Sequence, residues 1–318
     1  MVNQGVRGIH STILAGVEST WGSAVSATKS LGLVTEFTQN DKQTTRDHHG
    51  LGQANAIGAS AGVYKPEGSI SLEMCHGRML EYAIFGGATT STDCSTDCTH
   101  VFSVGNDLPS YTVEESFNET TDIQNLWAGV VFNTTNLDLT VDGILTCKSD
   151  WIAKNVNCAG AAATAASIPT QTPITGLTGA LSLGGAVTTA QEWGLTVNRN
   201  AKVGHALGSG APAYGGSNEL SCTWKAKVGY ISNAQHQQLL GGTTRGATEP
   251  AGITVTLSAN NAVALGSGNK MASIVLTNGY ITSISKPVTV NEFVIQDITG
   301  IGVLSSGSFV DSVLNVSW

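Results

Sequence analysis

Cysteine and histidine are the residue types in this chain that could do chemistry at short spacing. Cys94, Cys98 and His100 fall within one polar segment, and thiolate and imidazole are both zinc ligands. A closed zinc site needs four ligands, usually as two spaced pairs, and no second pair lies nearby. The trio therefore predicts no metal centre. Cys94 and Cys98 could bridge in an oxidising setting, but six cysteines scattered over 318 residues make no disulfide framework, and the thiols are expected to be reduced as the chain folds. His48 and His49 are adjacent, and neighbouring residues of an extended chain point to opposite faces, so they read as solvated histidines. His76, His205 and His236 stand alone. No His-Glu-x-x-His occurs, and Gly266-Ser267-Gly268-Asn269-Lys270 lacks the spacing of a phosphate-binding loop. Carboxylates are scattered, and although a pair could converge as in a glycosidase, any β protein of this size offers such pairs. The sequence predicts no catalytic residue, no cofactor and no metal.

Without a chemical centre, the informative pattern is the order of the elements, which occurs twice. Leu33–Asn40 has a counterpart in Trp193–Asn200. Each leads into a polar, glycine-rich stretch expected to be a long loop, Asp41–Tyr64 in one half and Ala201–Gly216 in the other. An alternating strand follows: Ile70, Leu72 and Met74 in one half, and Leu220, Cys222, Trp224, Ala226 and Val228 in the other. Then come short helical pieces, Met79–Phe85 and Asn233–Leu240, each ending in a glycine pair suited to a left-handed cap. Each half closes on a strand pair. Leu137–Val141 and Ile144–Ile152 turn at Asp142-Gly143, and Tyr280–Ser285 and Val288–Gln296 turn at Lys286-Pro287. The expected fold is all-β with short helices, organised as a first unit over 1–155, an uncharged linker or arm over 156–191, and a second unit over 192–318.

Composition narrows the function. Only 12% of residues are charged and 38 are glycine. Ordinary soluble domains carry about 25% charged residues, so much of this surface is expected to be buried in an assembly. The net charge of −8, with no run of Lys or Arg, argues against binding to a phosphate backbone. No apolar run approaches membrane-spanning length, and the first residues lack the pattern of a secretion signal, so folding in the cytoplasm and no membrane partner are expected. The six tryptophans read as core or interface anchors.

Gly16-Val17-Glu18-Ser19-Thr20-Trp21-Gly22, the Gly68–Glu73 strand running into Gly77–Tyr82, and Ala128–Asn133 continuing to Leu139 together resemble the tail tube proteins of long-tailed bacteriophages and related archaeal viruses. The resemblance covers most of the chain. It implies a β-sandwich or barrel unit, here duplicated, that contributes strands to a closed ring-shaped β-barrel. Rings would stack into a hollow tube that passes double-stranded DNA without sequence-specific binding. It further implies a virion protein assembled in the host cytoplasm, with other tail proteins at the tube ends. If each half is one unit, three chains make a pseudo-sixfold ring; six chains per ring is the alternative. The long loops would then touch the next ring through Thr44, Arg46, His48, His49, Asn55, Lys202 and His205, and deletion of residues 44–58 is expected to leave a soluble protomer that cannot polymerise. Trp21, Phe309 and Trp318 are the expected contacts between subunits. An adhesive or carbohydrate-binding β-sandwich is the competing reading, followed by a capsid or head-decoration protein.

Overall fold

The computed structural model describes residues 11–49, 51–52, 54–92, 97–106, 108–117, 123–158, 172–245, 249–264 and 269–312. The first half supplies β1 (Ser11–Val17), β2 (Lys29–Ser30), β3 (Leu33–Gln39), a hairpin of β4 (Lys42–His48) and β5 (Gly58–Lys65), and β6 (Glu67–Glu73). After a π-type helical turn over Leu80–Phe85 come β7 (Gly86–Thr92), β8 (Asp97–Val104), β9 (Tyr111–Phe117), β10 (Ile123–Thr140), β11 (Thr146–Ile152) and β12 (Asn155–Asn157). The second half opens with a short 3-10 turn over Gly176–Thr178, β13 (Ala180–Leu183), β14 (Ala186–Thr188) and β15 (Ala190–Asn198). It continues through the β16 (Lys202–Gly204) and β17 (Tyr214–Gly216) hairpin, β18 (Ser221–Gly229), α1 (Ala234–Leu240), β19 (Ile253–Ala264), β20 (Asn269–Ser285) and β21 (Ile295–Ser312).

Both halves pair their strands in one order. In the first, β2 pairs with β1, β1 with β9, β9 with β10, β10 with β11, β11 with β6 and β6 with β3. In the second, β14 pairs with β13, β13 with β19, β19 with β20, β20 with β21, β21 with β18 and β18 with β15. The C-terminal part of β10 then pairs with β15, Thr134 opposite Asn198 through Thr140 opposite Glu192. The result is one continuous antiparallel sheet in the order β3-β6-β11-β10-β15-β18-β21-β20. Among the described residues the pairings branch but never return on themselves, so β3 and the C-terminal part of β20 are open edges and a single chain does not close a barrel.

Two-residue alternation gives this sheet one apolar and one polar face. Val34, Leu72, Cys147, Leu137, Leu195, Trp224, Gly300 and Ile281 are successive cross-strand partners on the apolar face. Most of that row is buried, with Val34 packed against the core from its margin. Aromatic side chains fill the first half: Phe37 stacks on Trp151 at 5.7 Å, and Tyr82 stacks on Tyr111 at 4.3 Å. Leu80, Tyr82, Ala83, Ile84 and Phe85 of the helical turn are buried in this core, whereas α1 buries none of its residues. Both helices end at a left-handed glycine, Gly86 at φ 65° and Gly241 at φ 78°, where any side chain would be strained.

The structure departs from the sequence reading in three places. The glycine-rich stretches 41–64 and 201–216 are not open loops but carry the β4–β5 and β16–β17 hairpins. Residues 286–292 lie outside any strand, and the strand expected over Val288–Gln296 begins only at Ile295. Within the uncharged segment 156–191, β13, β14 and the start of β15 are strands, β13 pairing with β19 of its own chain; 159–171 lie outside the described residues.

Candidate assembly site

The polar sheet face is built on one unbroken row of cross-strand partners. It runs Glu36, Ser71, Lys148, Asn136, Thr196, Thr223, Ile301, Tyr280, one residue from each of the eight strands. The hydroxyl of Thr196 donates to Asn136 Oδ1 at 2.7 Å where the halves meet. The alternation that aims this row outward also aims Glu36, Glu73, Asp138, Asp150, Glu192 and Asp297 outward, against Lys148, Lys225 and Lys227. Lys225 Nζ lies 2.8 Å from Asp138 and 3.2 Å from Glu192, and these two carboxylates hold its ammonium above the ordinary lysine pKa. Lys227 lies 3.8 Å from Glu192. Two of the three lysines are thus engaged by carboxylates of the same face, which stays acidic.

The β4–β5 hairpin stands away from this sheet. Every residue of β4 is exposed, Thr44, Arg46 and His48 among them, as are His49 and Asn55 beyond it. Its base is anchored: Lys42 and Lys65 both pair with Glu67, and the Tyr64 hydroxyl donates to Asp41 Oδ2 at 2.8 Å. Burial and this bond together push the Tyr64 phenol well above its ordinary range. The second hairpin lies against the same base. Tyr64 N–H donates to Gly210 O at 2.7 Å, and His205 Nε2 lies 3.0 Å from Tyr64 O. The structure therefore brings His205 and the exposed Lys202 beside the foot of the first hairpin, while Thr44, Arg46, His48, His49 and Asn55 project beyond it.

The other expected contact residues fall elsewhere. Trp21 is half-buried in its own chain, its Nε1 donating to Gly129 O at 3.1 Å and the Lys154 ammonium 4.9 Å above its ring. Phe309 is fully buried in the core. Trp318 lies outside the described residues. Cys98 is disulfide-bonded, unlike the expected free thiol, and Cys94 lies outside the described residues. Among the described residues no three His, Cys, Asp or Glu side chains gather as a metal set. Gly58-Ala59-Ser60-Ala61-Gly62 has the spacing of a hydrolase nucleophile elbow, and Ser60 Oγ lies 3.1 Å from His48 Nε2. An elbow requires a sharp strand-to-helix turn, however, and this segment is a plain exposed strand of the hairpin.

Two buried ions explain segments that motif reading leaves open. Glu18 holds the Gly16–Gly22 segment: one carboxylate oxygen accepts from Thr112 Oγ1 and Gly129 N–H, the other from Gly22 N–H and Ser110 Oγ, all at 2.8 Å. Four donors offset the desolvation of one buried carboxylate. Gly22 at φ 73° and Gly129 at φ 72° bring those N–H groups inward. Arg199, fully buried, donates to Gly105 O at 2.9 Å and to the carbonyls of Ile84 and Phe85. A cation from the second half thereby caps the C-terminus of the first half's helical turn.

The model of the family described as phage tail tube protein matches residues 8–301, which include the Glu18 staple, both hairpins and the sheet as far as the Ile301 step of the polar row. The chain belongs to the phage tail tube protein family. No curated protein matches the chain. Membership identifies a structural protein of the phage tail that self-assembles into a tube and meets other tail proteins. No helix among the described residues of this tail tube protein is long and apolar enough to cross a membrane.

Proposed function

We propose that the two halves are an internal duplication and that three copies of this tail tube protein close into a pseudo-sixfold ring. The ring's inner wall is then a barrel of twenty-four strands, eight from each chain. Rings stack through the β4–β5 hairpins into a hollow tube assembled in the host cytoplasm, with other tail proteins at its ends. The polar sheet face lines the lumen, where its excess of carboxylates lets double-stranded DNA pass without adhering or being read.

The observation that carries this reading is the sheet itself. It is continuous through both halves, covered on its apolar face by the chain's own core, polar on the other face and, among the described residues, unpaired at both edges. Such edges present unpaired backbone groups that invite another strand, and closing the sheet on further copies removes them. Electron microscopy of negatively stained purified protein tests the proposal: hollow tubes of uniform width with stacked-ring striations are expected, and averaged end views should show three repeating subunits. Shells or dispersed monomers under polymerising conditions would overturn the tube, and six identical subunits in end view would overturn the three-chain ring.

A further inference from the structure

The polar row across the sheet ends abruptly at both sides. Glu36 of β3 has Ser71 as its partner on one side and, among the described residues, no strand on the other. Tyr280 of β20 has Ile301 on one side. Residues 280–285 pair with β21 alone, whereas the preceding part of β20 is also paired with β19. The same division holds in β10, whose N-terminal part pairs with β9, but there the C-terminal part has a partner on its outer side, β15. The halves therefore differ at one point: β10 is met by the first sheet strand of the second half, and β20 is met by nothing among the described residues.

A groove marks the missing partner. Beside the outer edge of β3 lies a cleft of about 570 Å³ lined by Ile13, Gly32, Val34, Glu36, Glu115 and Phe117. At the corresponding place beside β15, the void bordered by Leu139, Thr140, Gly179, Ala190 and Trp193 is only about 10 Å³, because the end of β10 fills it. Leu139 there sits opposite Trp193.

We infer that the end of β20 from one copy fills the β3 groove of the next copy, antiparallel, in the register of the internal β10–β15 junction. This rests on the ring reading above and adds its residue-level seam. The register follows by counting. The polar row has a period of four strands: Glu36, Ser71, Lys148, Asn136, then Thr196, Thr223, Ile301, Tyr280. The step from Asn136 to Thr196 becomes the step from Tyr280 to Glu36 of the neighbouring copy. The apolar row gives the same answer independently. It runs from Val34 to Ile281 with Leu137 meeting Leu195 at its middle, so Ile281 meets Val34 of the next copy. Ile284, two alternations along with one bulge residue, takes the place of Leu139 in the groove. The contact is head-to-tail, and so it closes a ring or runs on, with no twofold end point. Backbone ladder bonds give it strength, and the apolar pockets fix its register.

The seam between copies differs from the internal one in charge. Where the internal junction has Asp138 and Glu192 around Lys225, the corresponding positions between copies bring Ser283 near Glu73, and Tyr280 to Glu36. No lysine of the polar face stands at that seam.

Cysteine pairing of assembled protein tests the register. In a chain carrying Tyr280→Cys with Glu36→Cys, assembled under reducing conditions and then oxidised with glutathione disulfide, a non-reducing gel should show a covalent ladder ending at the closed ring. The displaced pair Tyr280→Cys with Thr38→Cys should cross-link at least tenfold less, and the parent chain should set the background from its own thiols. Hydrogen exchange needs no variant: those amides of 33–39 and 280–285 that point away from β6 and β21 should be exposed in free protomer and at least tenfold slower in tubes. Intact tubes in which the Tyr280/Glu36 pair does not cross-link, or in which those amides exchange as in the protomer, overturn this seam and leave the tube standing. Failure of the parent chain to form tubes overturns the reading beneath it.

Discussion

At the scale of single residues, buried ionisable groups that keep their charge are held by several partners. Glu18 fastens one N-terminal segment with four donors, and Arg199 closes one helix end across the two halves. His76, buried near cations, gives up its charge instead. Burial first, then the nearby Arg78 and Lys270, push its imidazole from an ordinary 6.5 down to about 3. The sign of the consequence follows directly. The unfolded chain takes up a proton through pH 6.5 while the folded chain refuses it until about 3, so this contribution to stability is present above the unfolded value and is lost as pH falls between the two. From pH 7 to pH 4.5 the loss from this group alone is about 2–3 kcal/mol. Burial raises the carboxyls of Glu81 and Glu115, which bind protons earlier in the folded chain and act in the opposite direction. Comparison with His76→Gln isolates the histidine: urea unfolding should show the parent losing about 2–3 kcal/mol more than the variant over that interval. Parallel pH profiles would show that His76 does not refuse its proton.

At the scale of elements, the β4–β5 hairpin cannot be explained by the protomer. A lone two-stranded hairpin in water is marginal, and β4 pairs only with β5 while exposing every residue. Its supports lie at the base, through Glu67, Asp41 and Gly210. Removing residues 44–62 should therefore leave a folded protomer whose Tm moves by only a few degrees, because no core side chain is lost. Light scattering under conditions that polymerise the parent should show no growth, and normal tubes from this deletion would rule out the hairpin as the link between rings. The hairpin also shows what was legible in sequence. Strands that bury one face announced themselves by alternation, as in Cys222, Trp224, Ala226 and Val228, and the glycine caps marked both helices. The hairpin buries neither face, so Thr44 through His49 carry no hydrophobic period and read as loop. The β7–β8 hairpin has no counterpart among the described residues of the second half, so the repeat does not point to it. Trp21 and Phe309 were legible as anchors, but an aromatic side chain fits a core and an interface equally well, and sequence does not say which. The polar row was invisible because register depends on bulges, such as those beside Val34 and Ile281, that shift partners by one residue.

At the scale of the whole molecule, the distribution of charge follows from the proposed path of DNA. A tube wall that attracted phosphate would hold the polymer by releasing its counterions, at a cost that grows with each contact. A uniformly repulsive wall avoids that, and a wall whose lysines are already engaged by carboxylates stays repulsive at short range as well as long. On the polar sheet face, apart from Glu67, which Lys42 and Lys65 of the hairpin hold, six carboxylates stand against three lysines, and Lys225 is shared between Asp138 and Glu192. Glu73 and Asp150 take part in none of these ion pairs, so they can be changed without releasing a lysine. Glu73→Lys with Asp150→Lys turns six against three into four against five on every chain. Both residues lie on the solvent side of inner strands, Asp150 away from the seam and Glu73 facing only the uncharged Ser283 across it, so the tubes should keep their width in electron micrographs. Anisotropy of a short fluorescent duplex added to preformed tubes should then show binding at least tenfold tighter than to parent tubes at about 0.05 M salt. That binding should vanish near 0.5 M, where the screening length has shrunk to a few ångströms. If variant and parent bind equally little while both remain tubular, the polar sheet face does not border the lumen, and the acidic composition has another cause. If the parent itself binds duplex tightly, passage without adhesion is wrong for this tube.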